Sequence, residues 1–168
     1  LSLHCGLWLV ACSLWLVSYI TPEGRAALEA ELTALWQRRG LTTAALAAAA
    51  AEGDRSENAE YIYRKKELRE IDRRLGYLQR RIPKLQVVQT VQSQERVYFG
   101  AWITVEDESG YEHTWRLVGP DEFDRHPGYI SIDAPLARAL LGMRVNEGVE
   151  VTVSGKKNSY TILKIEYR

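Results

Sequence analysis

Leu68, Ile71, Leu75, Leu78, Ile82 and Leu85 follow one another at spacings of 3, 4, 3, 4 and 3. That alternation draws one apolar stripe along an α-helix, a coiled-coil seam that is buried against a second helix. A partner lies just upstream. Thr21-Pro22-Glu23 is a compact helix start, with Thr as N-cap, Pro where its missing N–H costs nothing, and an acid at the positive end of the dipole. Leu28, Leu32, Leu35 and Trp36 give this first helix an apolar face that continues through Leu46 into the run Ala47 to Ala51, with Gly40 its one weak point. Gly53 to Ser56 interrupts: Gly53 suits a C′ residue, Asp54 or Ser56 a new N-cap, and a second helix is predicted from Glu57. Two helices of about 30 residues and a turn of about 4 make an antiparallel hairpin roughly 45 Å long. Pro83 ends or kinks the second helix just after Arg81.

After Lys84 the periodicity changes to that of strands. Val97 to Val105 and Tyr111 to Val118 flank a turn at Asp107 to Gly110, and Gly119-Pro120 closes that hairpin. Ile130 to Ile132 is a short strand, Ala134-Pro135 opens a helix through Leu141, and Gly142 stops it. Val149 to Val153 and Tyr160 to Tyr167 alternate around a polar turn, Ser154 to Ser159. The fold class is therefore α+β, a helical hairpin over residues 19–85 with its tip at 53–60, followed by a small antiparallel sheet domain with one short helix over residues 86–168.

The 168 residues carry 22 basic and 22 acidic side chains, and this neutrality is a cancellation. Residues 21–85 hold 13 basic and 10 acidic side chains, and residues 86–168 hold 9 and 12. From Arg64 to Lys84 there are nine basic residues against three acids, a cationic stretch suited to phosphates or an acidic protein surface. The length excludes a repeat array or a large enzyme, and the ordinary apolar content excludes wholesale disorder and a multi-span membrane protein. Residues 1–18 have no Lys, Arg, Asp or Glu and hold both cysteines. They read as a membrane span, a secretory or lipoprotein signal, or a segment upstream of the true start; the last is favoured, since no basic anchor precedes them and globular patterning begins at Tyr19. A cysteine-free body suits a reducing compartment.

Catalytic constellations are scarce. His4, His113 and His126 have no Cys or second His at ligand spacing, and neither a phosphate-binding glycine loop nor a nucleophile elbow is present. The informative segment is Asp54-Arg55-Ser56-Glu57-Asn58-Ala59-Glu60-Tyr61. It reads as a capping box, Asp54 as N-cap with Glu57 reaching back, or as half a Mg²⁺ site whose remaining ligands come from another molecule; the two are compatible. Arg64, Lys65, Lys66, Arg69, Arg73 and Arg74 read either as a solvated coiled-coil face paired with Glu67, Glu70 and Asp72 or as a guide for a phosphate backbone, and Tyr61 and Tyr63 either as packing residues or as stacking platforms.

Gly53 to Leu78, GDRSENAEYIYRKKELREIDRRLGYL, resembles the tip and second helix of the Gre transcript cleavage factors, nearer the GreB branch than GreA. Tyr19-Ile20-Thr21-Pro22-Glu23-Gly24, Arg96 to Ala101, Leu117 to Glu122, Gly128 to Asp133 and Pro135 to Gly142 extend the likeness over residues 19–168 in family order. The resemblance implies a coiled coil followed by an FKBP-like domain in a monomeric, cytoplasmic factor of bacterial RNA polymerase that has no membrane association. It further implies that the coiled coil enters the polymerase secondary channel and that Asp54 and Glu57 are donated to a shared Mg²⁺. On this reading the factor is no enzyme itself; it stimulates the polymerase to cleave backtracked RNA, with Ser56, Asn58, Glu60 and Tyr61 supporting the tip. Arg55, Arg64, Lys65, Lys66, Arg69 and Arg73 would then face the RNA 3′ end, and Asp133, Ala134 and Pro135 would dock on polymerase. The alternative is a channel regulator that does not promote cleavage. The sequence departs from the family's pattern in lacking a proline at Arg38 to Leu41, in its alanine run, in Pro83 and in Ala134 where serine is expected.

Overall fold

A computed structural model describes residues 18–51, 58–89, 95–153 and 155–168. The chain divides into two compact units, Arg25–Leu85 and the described residues of Leu1–Gly24 with Gln86–Arg168. Residues 18–24 thus cluster with the globular unit, whereas the sequence pattern starts the hairpin domain at 19.

Helix α1 spans Pro22–Ala51 and helix α2 spans Ala59–Arg81, followed by a 3₁₀ turn, Ile82–Lys84, in which Pro83 ends the α-helical hydrogen bonding as predicted. Gly40 does not interrupt α1. In the hairpin unit the inward stripe of α2 is Glu67, Ile71, Leu75 and Leu78, all buried, with Leu68 half-buried beside them. Burying each of the three aliphatic side chains stabilises the hairpin by about 1.5–3 kcal/mol. On α1 the less exposed positions are Leu28, Leu32, Leu35, Arg39, Thr42, Leu46 and Ala49, an alternation of 4 and 3 that passes through two polar residues. Trp36, expected on this face, lies one position off it and is 47% exposed, with the Arg39 guanidinium 5.8 Å from its ring centre.

Ion pairs fix how the two helices align. Arg74 Nε and a terminal nitrogen donate to Glu31 (2.6 and 3.0 Å), Arg39 Nε to Asp72 (2.7 Å), and Arg38 to Glu67 Oε1 (2.9 and 2.6 Å). Glu31, early in α1, pairs with Arg74, late in α2, while Arg38 and Arg39, further along α1, pair with the earlier residues Glu67 and Asp72, so the hairpin is antiparallel. Glu67 also accepts from Arg64 (3.1 Å), and its carboxyl is held below the usual carboxylate range chiefly by the hydrogen bond from Arg38.

In the globular unit, β1 (Ser18–Ile20) pairs with β2 (Leu85–Val87), two strands the sequence pattern does not announce. The main sheet has the order β5-β4-β3-β7-β6, from β3 (Trp102–Asp107), β4 (Glu112–Val118), β5 (Tyr129–Ser131), β6 (Gly148–Val153) and β7 (Lys156–Glu166). Its neighbours are antiparallel except β4 and β5, which run parallel. The strand expected from Val97 starts only at Trp102, because Gly100 takes φ +83° in a turn and Val97 bonds instead to Gly142 and Met143. Strand β7 begins four residues earlier than expected: Val153 pairs with Lys156, and Gly155 takes φ +81° ahead of it. Helix α3 (Pro135–Leu140) lays Leu136, Ala137 and Leu140 on a core that includes Ile103, Val105, Leu117, Val149, Ile162 and Ile165.

Two polar devices close this unit. The Tyr167 hydroxyl donates to Arg96 O (2.8 Å) and accepts from Tyr98 N (2.9 Å), pinning residues 96–98 to the end of the chain. At the β3–β4 turn, Asp107 Oδ1 accepts from Ser109 N and Tyr111 N while Oδ2 lies 3.0 Å from His113 Nε2, and the His113 ring stacks on Trp115. The Asp107 carboxyl is lowered, first by its hydrogen bond with His113 and then by the Tyr111 amide.

Candidate functional site

The end of the hairpin is organised by Asn58. Extended at φ −80°, ψ 101°, it is the N-cap of α2, and its Oδ1 accepts from Tyr61 N at 3.0 Å. Its Nδ2 reaches the other helix and donates to Ala49 O at 2.9 Å. One amide group therefore satisfies an orphan N–H of α2 and an orphan carbonyl near the end of α1, drawing together the residues that flank the tip. Asp54 and Glu57, with Arg55 and Ser56, lie outside the described residues. The cap of α2 nonetheless bears on them: it is Asn58, so the capping box expected from Asp54 and Glu57 is not the start that α2 uses.

The other tip residues are engaged locally. Glu60 accepts from Arg64 Nε at 2.7 Å, one helical turn on. Tyr61 is half-buried with Lys65 Nζ 5.6 Å from its ring centre, and Tyr63 is 58% exposed with the Arg64 guanidinium at 5.5 Å.

The cationic run separates into two populations. Arg64, paired with Glu60 and Glu67, and Arg74, paired with Glu31, are tied into the hairpin. The bonds that Arg64 donates to Glu60 and Glu67 raise its pKa further. Lys66, Arg69 and Arg73 are exposed and form no ion pair among the described residues, and Arg80 extends the same stripe at helical spacing. Of the six residues expected to face phosphate, Arg64 is thus set apart by its ion pairs, Lys65 is exposed beside the Tyr61 ring, Lys66, Arg69 and Arg73 form the exposed stripe, and Arg55 lies outside the described residues. The signal for Arg80 was the 4, 3, 4 spacing carried past the open position Gly76.

On the globular unit, Asp133 and Pro135 are exposed at the start of α3 and Ala134 is half-buried. Ala134 is the N-cap and offers no side-chain acceptor, while the first turn is held by Pro135 and by the bond from Arg138 N to Ala134 O. Asp133 makes a long contact with Arg138, 3.4 Å, on a surface where such pairs contribute little. What the sequence reading missed is a buried carboxylate, Glu122, which binds Thr21 101 positions away. No local periodicity marks such a pair; the one available hint was Gly119-Pro120 ahead of an acid.

Among the described residues there is no group of three or more His, Cys, Asp or Glu able to hold a metal, and no helix long and apolar enough to cross a membrane.

Comparison with known proteins completes this picture. A family model described as "Transcription elongation factor, N-terminal" matches residues 18–87, and one described as "Transcription elongation factor, GreA/GreB, C-term" matches residues 92–167. Transcription elongation factor GreB of Yersinia pestis is 52% identical over 153 residues, covering 90% of each chain. GreB of Pseudomonas aeruginosa is 52% identical over 150 residues, covering 88% of this chain and 89% of that one. The solved structure of Gfh1 from Thermus thermophilus aligns at 23% identity with a TM-score of 0.42, covering 89% of this chain and 99% of that one. With both family models matched in order across residues 18–167, the chain belongs to the GreA/GreB family of transcription elongation factors.

Proposed function

We propose that this protein rescues arrested transcription by entering the secondary channel of bacterial RNA polymerase and stimulating the polymerase to cleave backtracked RNA. The observation that carries this reading is the bridge at Asn58. It ties the ends of α1 and α2 together on either side of Asp54 and Glu57, and it leaves the capping of α2 to an amide. On this reading Asp54 and Glu57 serve a cation, not the first turn of α2. As hard oxygen donors they fit Mg²⁺, which takes one or two protein carboxylates and fills its remaining positions from water and phosphate. When bound, Mg²⁺ supplies an activated water and charge neutralisation for hydrolysis of a phosphodiester.

The chain's own residues contribute ligands and electrostatics. Asp54 and Glu57 are brought to the metal, Lys66, Arg69 and Arg73 offer exposed charge to the RNA backbone, and Asp133 with Pro135 presents the docking face. On this reading the polymerase performs the reaction and the factor is an activator.

The test is RNA cleavage in stalled, backtracked elongation complexes. The wild-type protein is expected to accelerate cleavage, and the Asp54→Ala/Glu57→Ala double variant to bind polymerase without doing so. Full activity of the double variant, or polymerase binding by the wild type with no cleavage, would refute the reading; the second result would identify a channel regulator.

A further inference from the structure

We propose that Glu122 is a positioning residue for the activity above: it anchors the first turn of α1 in the globular unit and so governs how effectively bound factor stimulates cleavage. The proposal rests on that functional reading.

Glu122 is 1% exposed and Thr21 is 2% exposed. Glu122 Oε1 accepts from Thr21 N at 3.0 Å and from Gly119 N at 2.9 Å, while Oε2 accepts from the Thr21 hydroxyl. The Thr21 oxygen in turn accepts from Gly24 N at 2.9 Å, the usual N-cap bond to the third helical residue. The hydroxyl is therefore a relay, accepting from the helix and donating to the carboxylate. Both glycines have a steric reason: a methyl on Gly24 would overlap Glu122 Oε2, and one on Gly119 would overlap the Tyr19 carbonyl oxygen. A second tie lies two residues along, where the exposed Glu23 accepts from Arg116 (3.3 Å), itself buried beside Trp102 and Tyr129. The Glu23 carboxyl is lowered, first by its own backbone N–H and also by Arg116.

Capping alone does not account for this arrangement. Thr21 already satisfies the helix, and a solvent-exposed acid would complement the dipole without the cost of desolvation. A carboxylate buried and matched by three donors fixes position, and α1 runs from that point to Ala51 without interruption. Loosening the anchor should leave the docking face of the globular unit intact while the first turn of α1 is held less firmly.

The experiment titrates full-length factor against backtracked complexes and separates the half-saturating concentration from the maximal cleavage rate. Glu122→Gln, which turns one acceptor into a donor, and Thr21→Val, which removes the relay, are expected to lower the maximal rate at least fivefold while shifting the half-saturating concentration less than twofold. Thr21→Ser, which keeps the hydroxyl, is expected to restore the rate. Amide exchange at Thr21 and Gly119 reports the anchor directly and should accelerate in Glu122→Gln. An undiminished maximal rate in either variant, or a loss confined to affinity, would overturn the proposal while leaving cleavage stimulation standing. A wild-type protein that stimulates no cleavage would sink the functional reading and this inference with it. If Glu122→Gln does not fold, the Thr21→Val and Thr21→Ser pair decides.

Discussion

Replacing Asn58 by alanine removes both of its side-chain hydrogen bonds, the one that caps α2 and the one that reaches Ala49 on α1, and their geometry sets the size of the effect. Loss of an N-cap acceptor costs about 1 kcal/mol. Loss of the bond from Nδ2 to Ala49 O, part-buried and 2.9 Å long, costs about another 1 kcal/mol. Together they amount to about 2 kcal/mol, or roughly a 30-fold rise in the opening equilibrium of the first turn of α2. Amide hydrogen exchange reads this directly at Tyr61, whose N–H bonds to the Asn58 side chain, and at Ile62, whose N–H bonds to the Asn58 carbonyl. Asn58→Asp separates the two contributions, since its carboxylate keeps the cap but cannot donate to Ala49, so its expected loss is about half. Exchange at Tyr61 in Asn58→Ala within about threefold of wild type would refute the reasoning. Equal losses in both variants would show that the Ala49 bond carries the whole effect and that the capping argument is wrong.

Other parts of the molecule make independent predictions. Tyr167→Phe removes a donor to Arg96 O and an acceptor from Tyr98 N and is expected to cost about 2 kcal/mol, lowering the thermal midpoint by roughly 4–8 °C in a calorimetric scan. Asp107 has a folded-state pKa below its unfolded value, so its contribution to stability is present above the ordinary carboxylate range and fades as pH falls through the lowered pKa. His113→Ala should move the Asp107 carboxyl titration, followed by carbon NMR, up toward the ordinary range; an unmoved midpoint would show that the backbone amides alone hold it down.

The parts of this structure that were legible in sequence are those where local pattern and burial coincide. The seam from Ile71 to Leu85 announced α2, Pro83 announced its end, and Gly110 and Gly142 marked real turns, both at positive φ. The misreadings have physical causes. The α1 face passes through Arg39 and Thr42, so an apolar pattern loses it there and draws in Trp36 instead. The start of α2 lies later than expected because Asn58, a good N-cap residue type in its own right, caps the helix in place of Asp54 or Ser56 and also reaches Ala49. At the candidate site, Asp54 and Glu57 were visible as an acidic pair ahead of a basic helix. Glu122 was invisible, because its partners come together only once the chain has folded.

The ion pairs that align the hairpin, Glu31 with Arg74, Arg38 with Glu67 and Arg39 with Asp72, also limit how such a protein can change in length. A residue inserted in one helix alone rotates every later position by about 100° and separates each pair beyond it. Insertions and deletions are therefore tolerated only when matched on both helices, and the stripe on each is preserved only in steps of seven. The reach of the hairpin is thus a quantity that varies in increments of about 10 Å, and a single-helix deletion is a test that nature could not have passed gradually.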